Sequence, residues 1–81
     1  MSNEPLYYGI DMEATGLRIS ALRKARGLTV RDIQEYMGFD MPQAIYRWER
    51  GQAIPTLEHL KTLSEVLGVG IDDIIVWSRP P

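Results

Sequence analysis

The chain has 81 residues, of which 44% are hydrophobic, with no cysteine and a formal net charge of −2. This length supports one small domain, and the lack of cysteine excludes a disulfide framework and a thiolate metal site. No stretch approaches the roughly 18 apolar residues that a membrane span needs, and no basic and apolar leader opens the chain. We therefore expect a cytoplasmic protein that does not contact a membrane.

The charges are distributed unevenly along the chain. Residues 18–50 contain seven basic and four acidic side chains, a balance of +3, whereas the remainder carries −5. Such an asymmetry indicates one basic face and one acidic face, which could orient the protein on a polyanion without strong non-specific binding. A generic mixed-charge surface is the alternative interpretation.

The first 13 residues show no helical period and are predicted to form an N-terminal arm, with a short extended piece at residues 6–10. Tyr7 and Tyr8 are expected to pack back onto the domain rather than to stack on a ligand. A helix is predicted over residues 16–26, with Thr15 as its N-cap and Gly27 as its end. Its core-facing positions are Ile19, Leu22 and Ala25.

Residues 29–51 are predicted to form two short helices joined by a tight turn. The first of them has Thr29 as N-cap and ends at Gly38, and Ile33 and Met37 lie four residues apart on its apolar face. Asp32 in its first turn suits the positive end of the helix dipole.

The second helix of this pair is predicted at about residues 41–50. Asp40 is the expected cap, Gln43 is expected to reach back to it, and Pro42 belongs to the first turn. Ile45 and Trp48 fall on the face to be buried. The other face carries Pro42, Gln43, Tyr46, Arg47 and Arg50, which are available to an outside partner.

A leucine-striped helix is predicted from the Thr56 cap to about Leu67. The stripe comprises Leu57, Leu60, Leu63 and Leu67, and His59 is expected on the solvent side of the helix. Gly68 ends it, and residues 71–75 form one final turn. The apolar end, Ile74, Ile75, Val76 and Trp77, either covers the core or meets another chain.

The segments LRKARGLTVRDIQEYMG, AIYRWERG and LGVGIDDI, together with Pro55, resemble the lambda-repressor/Cro-type (Xre) helix-turn-helix family from residue 17 to about residue 75. The resemblance implies an all-α fold: a compact five-helix, lambda-repressor-like DNA-binding domain at residues 14–77. A short N-terminal arm, residues 1–13, precedes it, and a tail, residues 78–81, follows it. The third helix is expected to lie in the DNA major groove.

The same resemblance implies roles for particular residues. The base-reading positions fall on Pro42, Gln43 and Arg47, flanked by Ala44 and Tyr46. The phosphate-holding positions are Thr29, Val30, Arg31, Arg50 and Gln52. A buried ion pair between Arg23 and Glu49 is implied as the link between the first and third helices.

The sequence departs from the family pattern between Gly38 and Ile45, where GFDMPQAI is one residue longer than the commonest spacing. We therefore expect an unusual turn and a shifted start of the third helix. Gln34 stands where the family usually has a small residue, and Tyr46 stands where a small or polar residue is common.

Three classes of function remain to be weighed. The favoured one is a sequence-specific, double-stranded-DNA-binding transcriptional regulator, expected to be a repressor and a homodimer that associates through residues 74–77 and the arm. The alternative is a protein-interaction module of antitoxin-like or anti-repressor type, favoured by the acidic total and by Tyr46. An enzyme is disfavoured because no catalytic constellation, metal-ligand spacing, cofactor motif or small-molecule site is evident.

Overall fold

The computed structural model describes residues 9–78, which contain five helices and confirm the all-α prediction. In chain order these are α1 (Met12–Ala25), α2 (Val30–Met37), α3 (Gln43–Glu49), α4 (Leu57–Leu67) and α5 (Ile71–Ile74). The expected packing of Tyr7 and Tyr8, the extended piece before residue 9 and the tail after residue 78 lie outside the described residues. None of the helices in residues 9–78 is long and apolar enough to cross a membrane.

The predicted boundaries of α2 and α4 are confirmed, because both helices are ended by local contacts. The Thr29 hydroxyl accepts a hydrogen bond from the Asp32 amide (3.0 Å), and the Asp32 carboxylate accepts one from the Thr29 amide (2.8 Å), forming a complete capping box. Thr56 similarly caps α4 through the amide of His59. Gly38 ends α2 with φ 71°, a left-handed conformation that glycine adopts without a steric penalty.

The predicted start of α1 is wrong by four residues. The helix begins at Met12, and the Asp11 carboxylate accepts a hydrogen bond from the Ala14 amide at 2.9 Å. Thr15, the predicted cap, is buried inside the helix, where its hydroxyl accepts a hydrogen bond from the Val76 amide at 3.0 Å. Residues 12 and 13 therefore belong to the first helix and not to the arm.

The two ends of the described chain pair with each other. Ile10 and Trp77 form an antiparallel bridge, flanked by hydrogen bonds from the Asp11 amide to the Val76 carbonyl and from the Ser78 amide to the Gly9 carbonyl, both 2.8 Å. This pairing holds the C-terminal segment by backbone hydrogen bonds to the residues just before α1.

The core is formed by eight buried apolar side chains from α1 to α5, namely Ile19, Ile33, Ile45, Trp48, Leu60, Leu63, Leu67 and Ile74. Ile74 is 0% exposed, so its predicted role as a dimer contact is wrong. Leu57 was predicted to join the stripe of α4 but is 74% exposed, because it lies in the first turn, beyond the edge of the core.

His59 was predicted on the solvent side of α4, and this too is wrong. Its ring is half-buried and meets Phe39 edge-on, with 4.9 Å between ring centroids, and Trp48 with 5.7 Å between centroids. Phe39 also packs edge-on against Trp48 at 5.8 Å. The three rings join the connection after α2 to the inner faces of α3 and α4.

α1 and α3 approach closely at Gly16. A Cβ atom at this position would lie 2.6 Å from the carbonyl oxygen of Glu49 and would also overlap that of Trp48. Only glycine allows the two helices to approach at this distance, which places the C-terminal end of α3 directly against α1.

Candidate nucleic-acid interface

α3 presents one buried and one exposed face. Ile45 and Trp48 are 0% and 4% exposed and face the core. On the outside, with helical spacing, lie the side chains of Gln43, Tyr46, Arg47 and Arg50. An α-helix with its side chains is about 10 to 12 Å in diameter, which fits a major groove about 12 Å wide.

The start of α3 differs from the prediction. The helix begins at Gln43 rather than at about residue 41, and Pro42 occupies the N-cap position with no side-chain hydrogen bond to the helix. Asp40, the predicted cap, is exposed and makes no such contact. The extra residue in the connection moves Asp40 too far from the first turn. Gln43 is consequently the first residue of α3.

The outer face combines an aromatic ring with two guanidinium groups. Tyr46 is 43% exposed, and the guanidinium carbon of Arg50 lies 5.6 Å from the centroid of its ring, within range of a cation–π contact. Arg47 is exposed, whereas Ala44 is half-buried and Pro42 is also only partly accessible. The accessible polar groups of α3 are thus concentrated on Gln43 and the two arginines.

An ion pair anchors the C-terminal end of α3. The Nε and Nη2 atoms of Arg23 donate to the two carboxylate oxygens of Glu49 at 2.8 and 3.0 Å, and Nη1 donates to the Leu28 carbonyl at 2.9 Å. The two side chains are only 12% and 11% exposed. Hydrogen bonding to Glu49 raises the pKa of Arg23 above its ordinary value, although burial opposes this. The structure thus contains the pair that the resemblance implied.

The expected phosphate positions lie at the start of α2 and the end of α3. At α2, the capping box uses the amide and the hydroxyl of Thr29, and its hydrogen bonds lower the pKa of Asp32. Val30 is half-buried, whereas the Arg31 side chain is 84% exposed, with its Nε 3.6 Å from a Glu35 oxygen. Arg31 is therefore the exposed basic side chain at this end of α2.

At the end of α3, Arg50 and Gln52 are both exposed. The backbone amide of Gln52 donates to the Arg47 carbonyl at 2.8 Å, which closes the last turn of the helix. The Gln52 side chain remains outside this turn. The exposed side chains of Arg50 and Gln52 therefore lie at the C-terminal end of α3.

Sequence reasoning assigned no role to two residues near this interface. The side-chain amide of Gln34 donates to the carbonyls of Phe39 and Asp40 in the connection before α3. Glu13 lies beside Gly51, because a Cβ atom on that glycine would be 2.8 Å from the Cα of Glu13. Gln34 stood out in the sequence only as a replacement for the small residue usual in the family, and nothing in the sequence pointed to a contact between Glu13 and Gly51, 38 positions apart.

The described residues hold no group of three or more histidine, aspartate or glutamate side chains that could bind a metal ion.

The two short helices α2 and α3, joined by a turn and anchored on a helical core, define a helix-turn-helix domain. The profile of the helix-turn-helix family HTH_3 matches residues 19–74, and the chain belongs to this family.

Several solved structures share the fold. The restriction-modification controller protein C.AhdI from Aeromonas hydrophila is 26% identical over 79% of this chain and 96% of its own, with a TM-score of 0.71. The clp gene regulator ClgR from Corynebacterium glutamicum is 27% identical over 78% of this chain and 66% of its own, with a TM-score of 0.70. Among curated protein sequences, none matches significantly.

An enzyme also contains this fold. Hydroxypropylphosphonic acid epoxidase from S. wedmorenis is 20% identical over 80% of this chain, with a TM-score of 0.72, but the match covers only 34% of the epoxidase. At this identity the likeness concerns the fold alone.

Proposed function

We propose that this protein is a small cytoplasmic transcriptional regulator, acting as a repressor, that binds double-stranded DNA sequence-specifically by placing α3 in the major groove. One observation carries the proposal: α3 exposes Gln43 and Arg47 on one face while its other face is held in the core. A helix fixed in this way can present its polar side chains to base edges at a constant position.

The exposed chemistry suits base recognition. The Gln43 amide can pair with N6 and N7 of adenine, and the Arg47 guanidinium can pair with O6 and N7 of guanine. Ala44 and Pro42 offer apolar contact, for which a thymine methyl group is the matching partner. Tyr46 supplies an aromatic edge between these groups.

Phosphate contacts would come from both ends of the helix-turn-helix unit. Arg31, together with the Thr29 hydroxyl and the Val30 backbone amide at the start of α2, would hold one phosphate region, and Arg50 with Gln52 would hold another. Similarity to C.AhdI and ClgR, a controller protein and a gene regulator, supports the assignment.

The proposal includes a homodimer, in which each protomer reads one half-site and the half-sites lie about 34 Å apart. Trp77 is 58% exposed beside the partly buried Ile75 and Val76, and it is the large apolar side chain available in this segment. Trp77→Glu should halve the solution mass while the protomer keeps its helical circular dichroism spectrum. An unchanged solution mass would place the dimer contact elsewhere, for example in the N-terminal arm.

Selection from a random duplex pool followed by binding titrations tests the DNA assignment. Arg47→Ala should weaken binding to the selected duplex by about 1 to 3 kcal/mol, mainly through one base position. Arg31→Ala should weaken selected and scrambled duplexes alike and reduce the salt dependence. Lys61→Ala, on the exposed side of α4, is the matched control.

Two results would contradict these assignments. If the wild-type protein enriches no duplex, the chain acts as a protein-interaction module instead. Equal losses for Arg47→Ala and Arg31→Ala on selected and scrambled duplexes would remove Arg47 from base recognition.

A further inference from the structure

One side chain donates hydrogen bonds to the five-residue connection between α2 and α3, residues 38–42. The Nε2 atom of Gln34 lies 3.3 Å from the carbonyl oxygen of Phe39 and 3.1 Å from that of Asp40. Both partners are acceptors, so the NH₂ end of the amide must face them. Within residues 9–78, no other side chain hydrogen-bonds to residues 39–42.

The two ends of α3 are anchored unequally. The C-terminal end is fastened to α1 by the Arg23–Glu49 ion pair and by the close approach at Gly16. The N-terminal end has no side-chain cap, and its first buried side chain is Ile45. The position of Gln43, two residues earlier and exposed, therefore depends on the connection that precedes it.

A backbone hydrogen bond also links Gln34 to the connection before α3. The Phe39 amide donates to the Gln34 carbonyl at 3.1 Å, so main chain and side chain of Gln34 both hold this residue. The Phe39 ring then packs on Trp48, inside α3. Met41, at 60% exposure, is the apolar side chain at the outer end of this connection.

We propose that Gln34 is a positioning residue for DNA recognition: its amide fixes the connection and thereby sets where Met41 and Gln43 meet the bases, without touching DNA itself. The inference rests on the proposed function. Met41, held beside the start of α3, adds an apolar group suited to a thymine methyl. Arg47, one turn further on, is held by the C-terminal anchors and is independent of Gln34.

Gln34→Met tests this directly. Methionine matches glutamine in length and helix propensity but offers no donor to the two carbonyls. Base preferences are measured for wild type and variant by selection from a random duplex pool. We expect the preference at the base pair read by Gln43 to fall by about tenfold, which is the scale of one good side-chain–base contact. The preference at the base pair read by Arg47 should be retained within about twofold.

A second measurement and two further variants complete the experiment. Amide hydrogen exchange at Phe39, whose backbone amide donates to the Gln34 carbonyl, should accelerate in Gln34→Met, because the connection opens more often. Gln34→Glu keeps the side-chain shape and removes both donors, so it should give the same position-specific loss. Tyr36→Met, a neutral change at a 63% exposed position on the same helix, is the control and should alter neither readout.

Two results would overturn the inference alone. One is an unchanged preference at the Gln43 base pair in both folded Gln34 variants, and the other is an equal loss at the Gln43 and Arg47 base pairs. If wild type selects no duplex at all, the proposed function itself fails, and the inference fails with it. Wild-type selection therefore separates the two failures.

Discussion

Breaking the Arg23–Glu49 ion pair should be one of the most damaging single changes to this domain. In Glu49→Ala, the guanidinium of Arg23 loses two of its three hydrogen bonds and keeps only the one to the Leu28 carbonyl. With 12% of its side chain exposed, Arg23 cannot recover full hydration without moving. The charge is left nearly buried and only partly compensated.

The expected loss in the free energy of unfolding follows from the burial of Arg23 and its remaining hydrogen bond. Removing one partner of a buried pair costs about 3 to 5 kcal/mol, and the surviving Leu28 contact places this case near 3 kcal/mol. For a domain of this size, such a loss lowers Tm by about 12 to 24 °C. Replacing both partners, as in Arg23→Met/Glu49→Leu, removes the uncompensated charge and should recover most of the loss.

Urea unfolding followed by circular dichroism gives the free energies of unfolding of wild type, Glu49→Ala and the Arg23→Met/Glu49→Leu double variant. Glu35→Ala is the control, because the Arg31–Glu35 pair has side chains 84% and 70% exposed and should contribute within about 0.5 kcal/mol. The reasoning is refuted if Glu49→Ala behaves like this surface control, or if the double variant is no more stable than Glu49→Ala.

Three other changes probe separate features of the structure. The pKa of Asp32 is lowered because its carboxylate accepts hydrogen bonding from Thr29. The stabilisation that the ionised carboxylate gives the folded state is therefore present above the unfolded pKa of about 4 and is lost as pH falls through the folded pKa. The unfolding free energies of wild type and Asp32→Asn should therefore converge in acid. Gly16→Ala should destabilise by about 1 to 3 kcal/mol in urea unfolding, because the new methyl group overlaps the carbonyls of α3. Glu13→Gln removes a negative charge beside Gly51, next to the end of α3, and should strengthen binding to selected and scrambled duplexes by about twofold.

Each of these changes has its own check. A stability difference between wild type and Asp32→Asn that stays constant down to about pH 2 would contradict the role given to the carboxylate. Ser20→Ala, elsewhere in α1, should be nearly neutral, and equal losses at Ser20 and Gly16 would contradict a specific overlap. The gain from Glu13→Gln should disappear at about 1 M salt, where screening acts over about 3 Å.

Much of the helical pattern could be predicted from the sequence because its causes are local. Thr29 and Thr56 cap helices through amides three residues away, and glycines end both helices. The alternation of Ile45 and Trp48 with polar neighbours was enough to predict which face of α3 is exposed. These features depend on neighbours within one or two turns.

The errors arose where several local solutions were available. Thr15 is a plausible cap by sequence, but its hydroxyl bonds to Val76, 61 residues away, and Asp11 caps α1 instead. Asp40 was equally plausible for α3, but the long connection leaves it exposed. His59 was assigned to solvent because its ring contacts come from other segments of the chain.

The sequence by itself thus determined the helices, their polar and apolar faces and the residues offered to a partner, because hydrophobic periodicity and capping act over a few residues. Only the tertiary structure decided where α1 and α3 begin, how the chain ends pair, and which side chains anchor each end of α3. Those choices depend on which distant groups satisfy a hydroxyl, a carbonyl or a charge. The Gln34 contact with the connection and the Glu13 approach to Gly51 exist only once the helices have packed.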